Sequence, residues 1–308
     1  MNNKIKKNIT IGIPAYNEEK NIKNLLSSIF AQNEENFILK EIIFISDGST
    51  DETVLQVKKI NDKRIKIINS KARLGKASRL NEIFDKARGD LIVLLDADII
   101  IDSKNTLRDL IKPFESIEKL GLVGGNPHPI GGRTFIENAV NVTYHAYYPL
   151  RNNLREGSNP YGCDGKILAL SKSFAISVNI PPHMIGVDSY LYFLCIKKGY
   201  VFKHAPLASV AYRSPKNLTD HILQSTRFMS AGRLHKEMFR QLFDKEYFVP
   251  KRIFYFLLFQ QLLRKPLHSF VMFILNFYCR RLADIKFKDQ RPIWEISSST
   301  KEAIIYNE

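Results

Sequence analysis

Hydrophobic and polar positions follow two different periods along the first third of the chain. Short apolar runs predict four strands, at residues 9–13, 41–46, 64–69 and 91–95. Apolar residues spaced three and four apart predict the intervening helices, at residues 18–32, 51–60 and 77–87. Ser49 or Thr50 is the expected N-cap of the second helix. This alternation predicts an α/β fold with a mostly parallel, Rossmann-like sheet flanked by helices.

The regular alternation fades after about residue 115, and glycines and prolines crowd residues 121–132. Such residues mark turns, and the pattern beyond them does not separate strands from helices. From residue 236 onward the chain becomes helical, aromatic and basic. We therefore expect one domain with two halves, residues 1–115 and 116–235, followed by a basic amphipathic helical extension at residues 236–308.

Charge and cysteine content narrow the possible partners and compartment. The chain has 46 Lys and Arg against 31 Asp and Glu, a net charge of +15, which favours an anionic partner. Zinc-finger spacings and RNP-type aromatic motifs are lacking, so we do not expect nucleic acid. Cys163, Cys195 and Cys279 show no paired spacing, which indicates a reducing compartment. Residues 1–7 are basic but lead directly into a strand, unlike a cleaved signal peptide.

Two apolar runs near the C-terminus, residues 253–263 and 266–278, are flanked by cations. Each is shorter than the roughly 18–20 residues that span a bilayer. Residues 251–291 contain nine Lys or Arg and two Asp, a local net charge of +7. This pattern favours an interfacial anchor on an anionic membrane surface, at the inner face of the cell membrane. A buried helix pair packed on the core, or a dimer interface, is the alternative; the oligomeric state stays open.

Candidate ligand-binding residues follow each of the four predicted strands. They are Pro14, Tyr16 and Glu18 after the first strand, Asp47 after the second, Arg73 and Lys76 after the third, and Asp96 and Asp98 after the fourth. Parallel strands end at one edge of a sheet, where ligands bind, so these residues can converge. Carboxylates such as Asp98 suit Mg²⁺ or Mn²⁺ shared with a phosphate, although aspartates also end strands in ordinary turns. P-loop and GxGxxG motifs are absent, which argues against those nucleotide folds.

These segments, in this order, resemble the signatures of family 2 glycosyltransferases. They are residues 11–19 (IGIPAYNEE), 46–51 (SDGSTD), 75–76 (GK) with 80–81 (LN), and 96–98 (DAD). The resemblance covers roughly residues 8–102 and implies an inverting enzyme of GT-A fold. It implies a nucleotide-sugar donor, most often a UDP-sugar, and a divalent metal, Mn²⁺ or Mg²⁺. Residues 1–115 would then be the donor-binding half.

The resemblance also implies roles for individual residues of the first half. Tyr16, Glu18 and Asp47 would lie at the base and ribose, Asp96 near the ribose or sugar, and Asp98 at the metal. The sequence departs from the family pattern at Ser46, where an Asp is common, and at Arg79, where a small residue is usual. Both departures leave the preferred base open.

Weaker matches continue into the acceptor-binding and catalytic half, residues 116–235. Residues 162–165 (GCDG), with Asp164 and Gly165, resemble an acceptor-side glycine strand. Residues 186–191 (GVDSYL) resemble a Glu-Asp motif in which Val187 replaces the Glu, so Asp188 is the implied general base. Inversion by single displacement needs one such base. Residues 224–228 (QSTRF) resemble a QxxRW element, with Gln224 and with Arg227 near the leaving group.

We therefore expect an inverting glycosyltransferase that acts on a saccharide or lipid-linked acceptor in cell-surface glycan synthesis. A polyprenyl-phosphate glycosyltransferase is the main alternative, since a lipid phosphate acceptor needs no strong base. A nucleotidyltransferase would also use a metal and a nucleotide, but would release pyrophosphate. A non-catalytic sugar-binding or scaffold protein of the same fold is the remaining alternative.

Overall fold

A mixed eight-stranded sheet is the centre of the computed structural model, which describes residues 6–286 and 298–304. The strands are β1 (Lys7–Ala15), β2 (Phe37–Asp47), β3 (Ile65–Ser70), β4 (Leu91–Leu95), β5 (Ile99–Ile101), β6 (Leu120–Pro129), β7 (Ile167–Ser171) and β8 (Val201–Tyr212). The helices are α1 (Ile22–Phe30), α2 (Thr53–Lys58), α3 (Lys76–Lys86), α4 (Thr106–Ile111), α5 (Phe135–Asn153), α6 (Lys172–Ile176), α7 (Val187–Lys197), α8 (Leu218–Phe239), α9 (Gln241–Glu246), α10 (Lys251–Arg264) and α11 (Pro266–Lys286).

The strand order is β3-β2-β1-β4-β7-β6-β8-β5, so strands from both predicted halves share one sheet. β1 pairs in parallel with β2 and with β4, and β2 pairs in parallel with β3. β7 runs antiparallel to β4 and β6, whereas β6 and β8 are parallel. The predicted α/β fold with a mostly parallel sheet and C-terminal helices is confirmed. The carboxyl ends of β1 to β4 therefore lie at one edge, which we call the donor edge after the role that the sequence resemblance implies for it.

Strand β4 shows why helices cover both faces of the sheet. All five of its residues are buried, and alternate side chains point to opposite faces. Val93 belongs to the core that includes Leu26 of α1, and Leu94 to the core that includes Ile83 of α3. A strand that is buried on both faces has a continuous apolar sequence, and this continuous run is the pattern from which β4 was predicted.

Two local predictions about helix starts are wrong, for one shared reason. Helix α1 begins at Ile22 rather than near Glu18, whose carbonyl oxygen accepts the Asn21 and Ile22 amides in a turn, both at 3.0 Å. Helix α2 begins at Thr53, and neither Ser49 nor Thr50 caps it. The side chains expected at helix starts instead connect two loops of the donor edge.

The C-terminal helices pack on the rest of the chain over only part of their surface. Helix α11 contacts α8 and α5, and α10 lies on α11 and α5. Many large apolar side chains remain exposed on both helices: Phe254, Tyr255, Phe256, Phe259, Leu262, Leu263, Leu267, Phe270, Phe273 and Phe277. None of the helices described combines the length and the apolar character needed to cross a membrane.

Candidate active site

The loop at residues 16–18, directly after β1, is held by the loop that follows β2. Asn17 has a positive φ of 53°, a conformation that Asn tolerates better than most residues. Its amide donates to Ser49 Oγ at 3.1 Å, and its side-chain oxygen accepts the Thr50 amide at 2.8 Å. The Glu18 amide donates to Thr53 Oγ1 at 2.7 Å. Hydroxyl groups of the second loop therefore fix the backbone of the first.

Asp47, at the end of β2, is buried and fully engaged by the loop after β3. One carboxylate oxygen accepts the Leu74 amide at 2.8 Å and Arg79 Nε at 2.7 Å, and the other accepts the Gly75 amide at 2.9 Å. Gly75 has a φ of 86°, which favours glycine. Asp47 therefore shapes the loop that leads to Lys76. Arg79, which departs from the family pattern, is the cation that pairs with the buried Asp47 carboxylate.

Residues predicted from separate strands meet at the donor edge. The Arg73 guanidinium lies 3.9 Å from the centre of the Tyr16 ring, a cation–π contact between the loops after β3 and β1. Pro14 lies beside Ile45 in the β1–β2 ladder, one step before these loops. The structure thus brings together the side chains that follow the first three strands.

Lys76 links the fourth strand to the second half of the chain. As the first residue of α3, it pairs with Asp96, and its ammonium group donates to the Gly165 carbonyl oxygen at 3.3 Å. Burial and the neighbouring Asp96 raise the pKa of Asp98, while Lys166 and other cations oppose the shift. The two carboxylates thus form an acidic pair whose negative charge is only partly compensated.

Asp188 faces this acidic pair from the start of α7. Its Oδ2 accepts the Gly165 amide at 3.1 Å, and its Oδ1 accepts the Ser189 amide at 2.9 Å. A Cβ atom at Gly165 would lie 3.2 Å from Lys76 Nζ and 3.4 Å from Asp188 Cβ, so glycine permits the close approach. Burial and Asp164 raise the pKa of Asp188, with Lys76 opposing. A carboxylate with a raised pKa suits a general base.

Asp164, by contrast, belongs to an ion-pair network. Lys166 donates to its Oδ1 at 3.2 Å, and Arg151 approaches its Oδ2 at 3.5 Å. Burial alone would raise the pKa of Asp164, but these two cations hold it below its usual value. Asp164 is therefore charged and internally paired beside Gly165.

Helix α8 adds a cation to the same region. Burial lowers the pKa of Arg227, and Asp188, Asp96 and Asp98 act against that shift, so Arg227 lies within electrostatic range of all three carboxylates. Gln224 lies one helical turn earlier on α8 and is partly buried. Within the weak match at residues 224–228, Arg227 is therefore the residue that the carboxylates of the donor edge influence.

Two cations of the site escaped sequence reasoning. Lys166 follows Gly165 and directly precedes β7, and a single charged residue at the start of a strand does not indicate a functional role. Its ammonium group lies 4.3 Å from the centre of the Tyr212 ring. Lys301 reaches Glu18 from a distant part of the chain, at 2.5 Å. Burial and Asp98 raise the pKa of Glu18 to about 7, and Lys301 opposes the rise. A pairing across so many residues leaves no local pattern.

The residues that the structure describes do not by themselves supply a complete metal coordination set. Across residues 6–286 and 298–304, no group of three or more His, Cys, Asp and Glu side chains is arranged to hold a metal. Mg²⁺ and Mn²⁺, however, are commonly bound by one or two carboxylates together with substrate phosphates. Asp96 and Asp98 fit that mode, because burial and Asp96 raise the pKa of Asp98 and a nearby cation would stabilise its carboxylate form.

Comparison with solved structures defines the class of fold. A mannosyltransferase from Pyrobaculum calidifontis, solved with GDP-Man and Mn²⁺, matches with a TM-score of 0.62 at 19% identity, over 91% of this chain and 74% of that one. Glucosyl-3-phosphoglycerate synthase from Mycobacterium tuberculosis, solved with Mn²⁺, UDP and phosphoglyceric acid, matches with a TM-score of 0.52 at 22% identity, over 75% and 78%. The fold is that of GT-A glycosyltransferases.

Sequence comparison identifies the family. The profile of glycosyl transferase family 2 matches residues 10–176, more than half of the 308 residues, and the chain belongs to this family. Poly-beta-1,6-N-acetyl-D-glucosamine synthase of Staphylococcus aureus is 29% identical over 262 residues, 83% of this chain and 61% of that protein. The enzyme of the same name from Staphylococcus epidermidis is 35% identical over 122 residues, 39% of this chain and 28% of that protein. The chain thus spans about three fifths of the length of the Staphylococcus aureus protein. The predictions of the family and of the glycosyltransferase class are confirmed.

Proposed function

We propose that this glycosyltransferase transfers a sugar from a nucleotide diphosphate sugar to a growing saccharide or lipid-linked acceptor in the synthesis of a cell-surface polysaccharide. The convergence of Asp96, Asp98 and Asp188 with Lys76 and Arg227 at the donor edge is the observation that carries this proposal. The Staphylococcus relatives support a polysaccharide product, and they make UDP-N-acetylglucosamine the first donor to test. Residues 1–115 would bind the donor and residues 116–235 the acceptor.

On the donor side, Asp98 would be the metal ligand, with Asp96 nearer the ribose or sugar. When bound, Mn²⁺ or Mg²⁺ would neutralise charge on the departing diphosphate. The complexes of structural neighbours with Mn²⁺ and nucleotides support this choice of ion. Tyr16, stacked on Arg73, offers a flat face for the base. Asp47 would contribute by shaping its loop, since both of its oxygens are already engaged.

On the acceptor side, Asp188 would remove the proton of the attacking hydroxyl group. Its partly desolvated carboxylate has a raised pKa, which brings its basicity closer to that task. Lys76 and Arg227 lie on the same side as the acidic pair and would stabilise the negative charge that develops on the leaving diphosphate. Asp164 and Gly165 would border the acceptor, because Gly165 contacts both Lys76 and Asp188.

Helices α10 and α11 would hold the enzyme at an anionic membrane surface, at the inner face of the cell membrane. Of the segment predicted to bind this surface, residues 251–291, the last five lie outside the residues that the structure describes. Phe259 and Leu263 are exposed on α10, and Phe273 is exposed on α11. Exposed apolar residues flanked by Lys and Arg are the composition that binds anionic lipid interfaces. This location would suit a lipid-linked or membrane-extruded acceptor.

The test of the proposed function is donor binding followed by product analysis. A thermal-shift panel of UDP- and GDP-sugars, with and without Mn²⁺, should give metal-dependent stabilisation by one donor. A ligand at a hundredfold excess over its Kd stabilises a fold by about 2.7 kcal/mol. The selected donor should then yield a nucleoside diphosphate rather than pyrophosphate, which excludes a nucleotidyltransferase.

Two substitutions on either side of β4 make this test specific. Asp98→Asn should remove the metal-dependent shift, whereas Asp90→Asn is the matched control, because Asp90 precedes β4 at the opposite edge and accepts the Asn8 amide. If no donor gives a metal-dependent shift with the unaltered protein, the proposal fails and a non-catalytic role is favoured.

A further inference from the structure

The segment at residues 298–304 crosses the donor edge and places a lysine inside it. The Lys301 ammonium group donates to the carbonyl oxygen of Tyr16, to that of Asn17 at 3.1 Å, and to Glu18 Oε1 at 2.5 Å. An ammonium group has three N–H donors, so all of them are used on the loop at residues 16–18. The ammonium also lies 5.8 Å from the centre of the Tyr16 ring.

The same segment is anchored on both sides of this lysine. On one side, Asn21 Nδ2 donates to the Lys301 carbonyl oxygen at 3.2 Å, and the Ile304 amide donates to Asn21 Oδ1 at 3.3 Å. On the other side, the Ser299 amide donates to Asp220 Oδ2 at 2.9 Å, at the start of α8. The segment therefore connects the loop after β1 with the helix that carries Arg227.

Electrostatics gives this contact a consequence for ligand binding. Glu18 is buried next to Asp98, and its second carboxylate oxygen is engaged by Asn21 at 3.2 Å. Without the Lys301 ammonium group, the buried Glu18 carboxylate would lose its only cationic partner among the described contacts. Its pKa would rise further, and its ionised form would repel an incoming diphosphate. The carbonyl groups of Tyr16 and Asn17 would also lose the donor that holds them.

We propose that Lys301 is a positioning residue of the donor site, which holds the loop at residues 16–18 and neutralises Glu18 so that Tyr16 is presented to the nucleotide. This inference rests on the proposed function, because it assigns the loop to donor binding. Lys301 acts through the loop and does not contact the reacting atoms. The donor site is accordingly complete only when residues 298–304 cover the loop.

The test compares donor kinetics of the full chain with and without this ammonium group. Lys301→Met should raise the KM for the donor roughly tenfold, equivalent to about 1.4 kcal/mol, with a smaller change in kcat. Lys40→Met is the matched control, since the Lys40 ammonium also donates to a carbonyl oxygen, that of Arg88 at 3.1 Å, but on β2 away from the donor edge. It should leave the donor KM unchanged.

A second variant separates neutralisation of Glu18 from general damage to the fold. In Glu18→Gln/Lys301→Met no unpaired carboxylate remains, so the fold should be retained and the donor KM should equal that of Glu18→Gln within about threefold. Additive losses would contradict coupling through Glu18. Unchanged donor binding in Lys301→Met would overturn the proposal, and tighter binding would overturn it and indicate that the lysine blocks the site.

Hydrogen exchange without any donor provides a readout independent of activity. Amides of residues 15–22 and 298–304 should exchange faster in Lys301→Met than in the unaltered protein, whereas their exchange in Lys40→Met should equal that of the unaltered protein. Unchanged exchange overturns the positioning role by itself. If the unaltered protein binds no nucleotide sugar, the proposed function fails, and the exchange comparison still decides whether Lys301 holds the loop.

Discussion

The donor edge and the α10–α11 helix pair use charged and apolar side chains in opposite ways. At the donor edge, the charged groups Asp47, Arg79 and Glu18 are buried, with Asp47 paired to Arg79 and Glu18 paired to Lys301. On the helix pair, apolar groups are exposed, with Leu263 at 67% and Phe273 at 71% of their full accessibility. The donor edge therefore buries charged side chains, whereas the helix pair exposes apolar side chains.

This difference indicates two kinds of partner. Burying a charge is costly unless each atom has a well-placed partner, so a buried charged cluster defines one geometry and suits a specific ligand. Exposed apolar surface bordered by cations needs only a matching environment, which a lipid interface provides without specific contacts. Five predictions test these two regions and a neighbouring ion pair, from the largest expected effect to the smallest.

The largest effect should come from Asp188→Asn. An amide cannot accept the acceptor proton, and general-base catalysis typically contributes 10²–10⁴-fold, so kcat should fall roughly a thousandfold, about 4 kcal/mol. Steady-state kinetics with the donor found by the panel measures this, with Asp90→Asn as the control. Near-normal transfer would favour a lipid phosphate acceptor and a polyprenyl-phosphate glycosyltransferase.

The pH profile sharpens the same assignment. Burial and Asp164 raise the pKa of Asp188 above 3.8, and the base must be ionised to act. Activity should therefore be lost as the pH falls through that raised pKa. Any residual activity of Asp188→Asn should lack this loss at low pH. If the loss at low pH is unchanged, it is caused by the protonation of another group.

Next in size is a matched pair of leucine substitutions that compares stability in the two regions. Leu94→Ala on β4, where the side chain is 2% exposed, should lower the free energy of unfolding by about 3 kcal/mol. Leu263→Ala on α10 should change it by less than about 0.5 kcal/mol. Chemical denaturation measures both. Similar losses would mean that α10 is buried against a partner or another part of the protein.

Binding to lipid vesicles tests the role of the exposed apolar surface of α10. Leu263→Glu should weaken binding to vesicles containing phosphatidylglycerol by at least roughly tenfold, because burying a leucine in an apolar phase contributes about 1.5–3 kcal/mol. Leu207→Glu is the control, since Leu207 is equally exposed but lies on β8. Equal binding by both variants, measured by vesicle co-sedimentation, would remove α10 from the interface.

The smallest effect concerns a pH-sensitive pair at the end of β6. His128 Nε2 donates to Asp102 Oδ2 at 2.5 Å, and this hydrogen bond raises the pKa of His128. Burial alone would raise the pKa of Asp102, but hydrogen bonds from His128 and Ser209 hold it below its usual value.

The pair should contribute about 1 kcal/mol to stability in a limited pH range. The histidine contribution is complete below pH 6.5 and is lost as the pH rises through the raised pKa of His128. The aspartate contribution is present above pH 3.8 and is lost as the pH falls through the lowered pKa of Asp102. His128→Gln should lower stability at pH 6 but much less at pH 9, and equal losses would contradict the pairing.

Much of the donor edge could be predicted from local pattern. β4 matches its predicted bounds, and β1 and β2 extend theirs by a few residues because their ends are also apolar or paired. Since parallel strands end at a common edge, Tyr16, Arg73, Lys76 and Asp96 were expected together, and Arg73 lies on Tyr16 while Lys76 pairs with Asp96. Their individual roles in catalysis remain predictions.

The second half resisted prediction for a physical reason. β7 lies between β4 and β6 and runs against both, so its partners are strands far away in sequence. Periodicity reports which face of an element is buried, but not which element buries it. The general-base role of Asp188 was therefore implied by the family resemblance rather than by spacing, and its hydrogen bond with the Gly165 amide was not predicted.

The sequence by itself determined the alternation of strands and helices, the edge at which the polar loops gather, and the family signatures. Each of these depends on neighbours within a few residues or on the common direction of parallel strands. Tertiary structure alone decided that Asp47 accepts backbone amides of the loop after β3, and that Arg151 and Lys166 compensate the charge of Asp164. It also decided that Lys301 binds Glu18, 283 positions away in the sequence. Such contacts depend on how distant elements pack, and packing leaves no period in the chain.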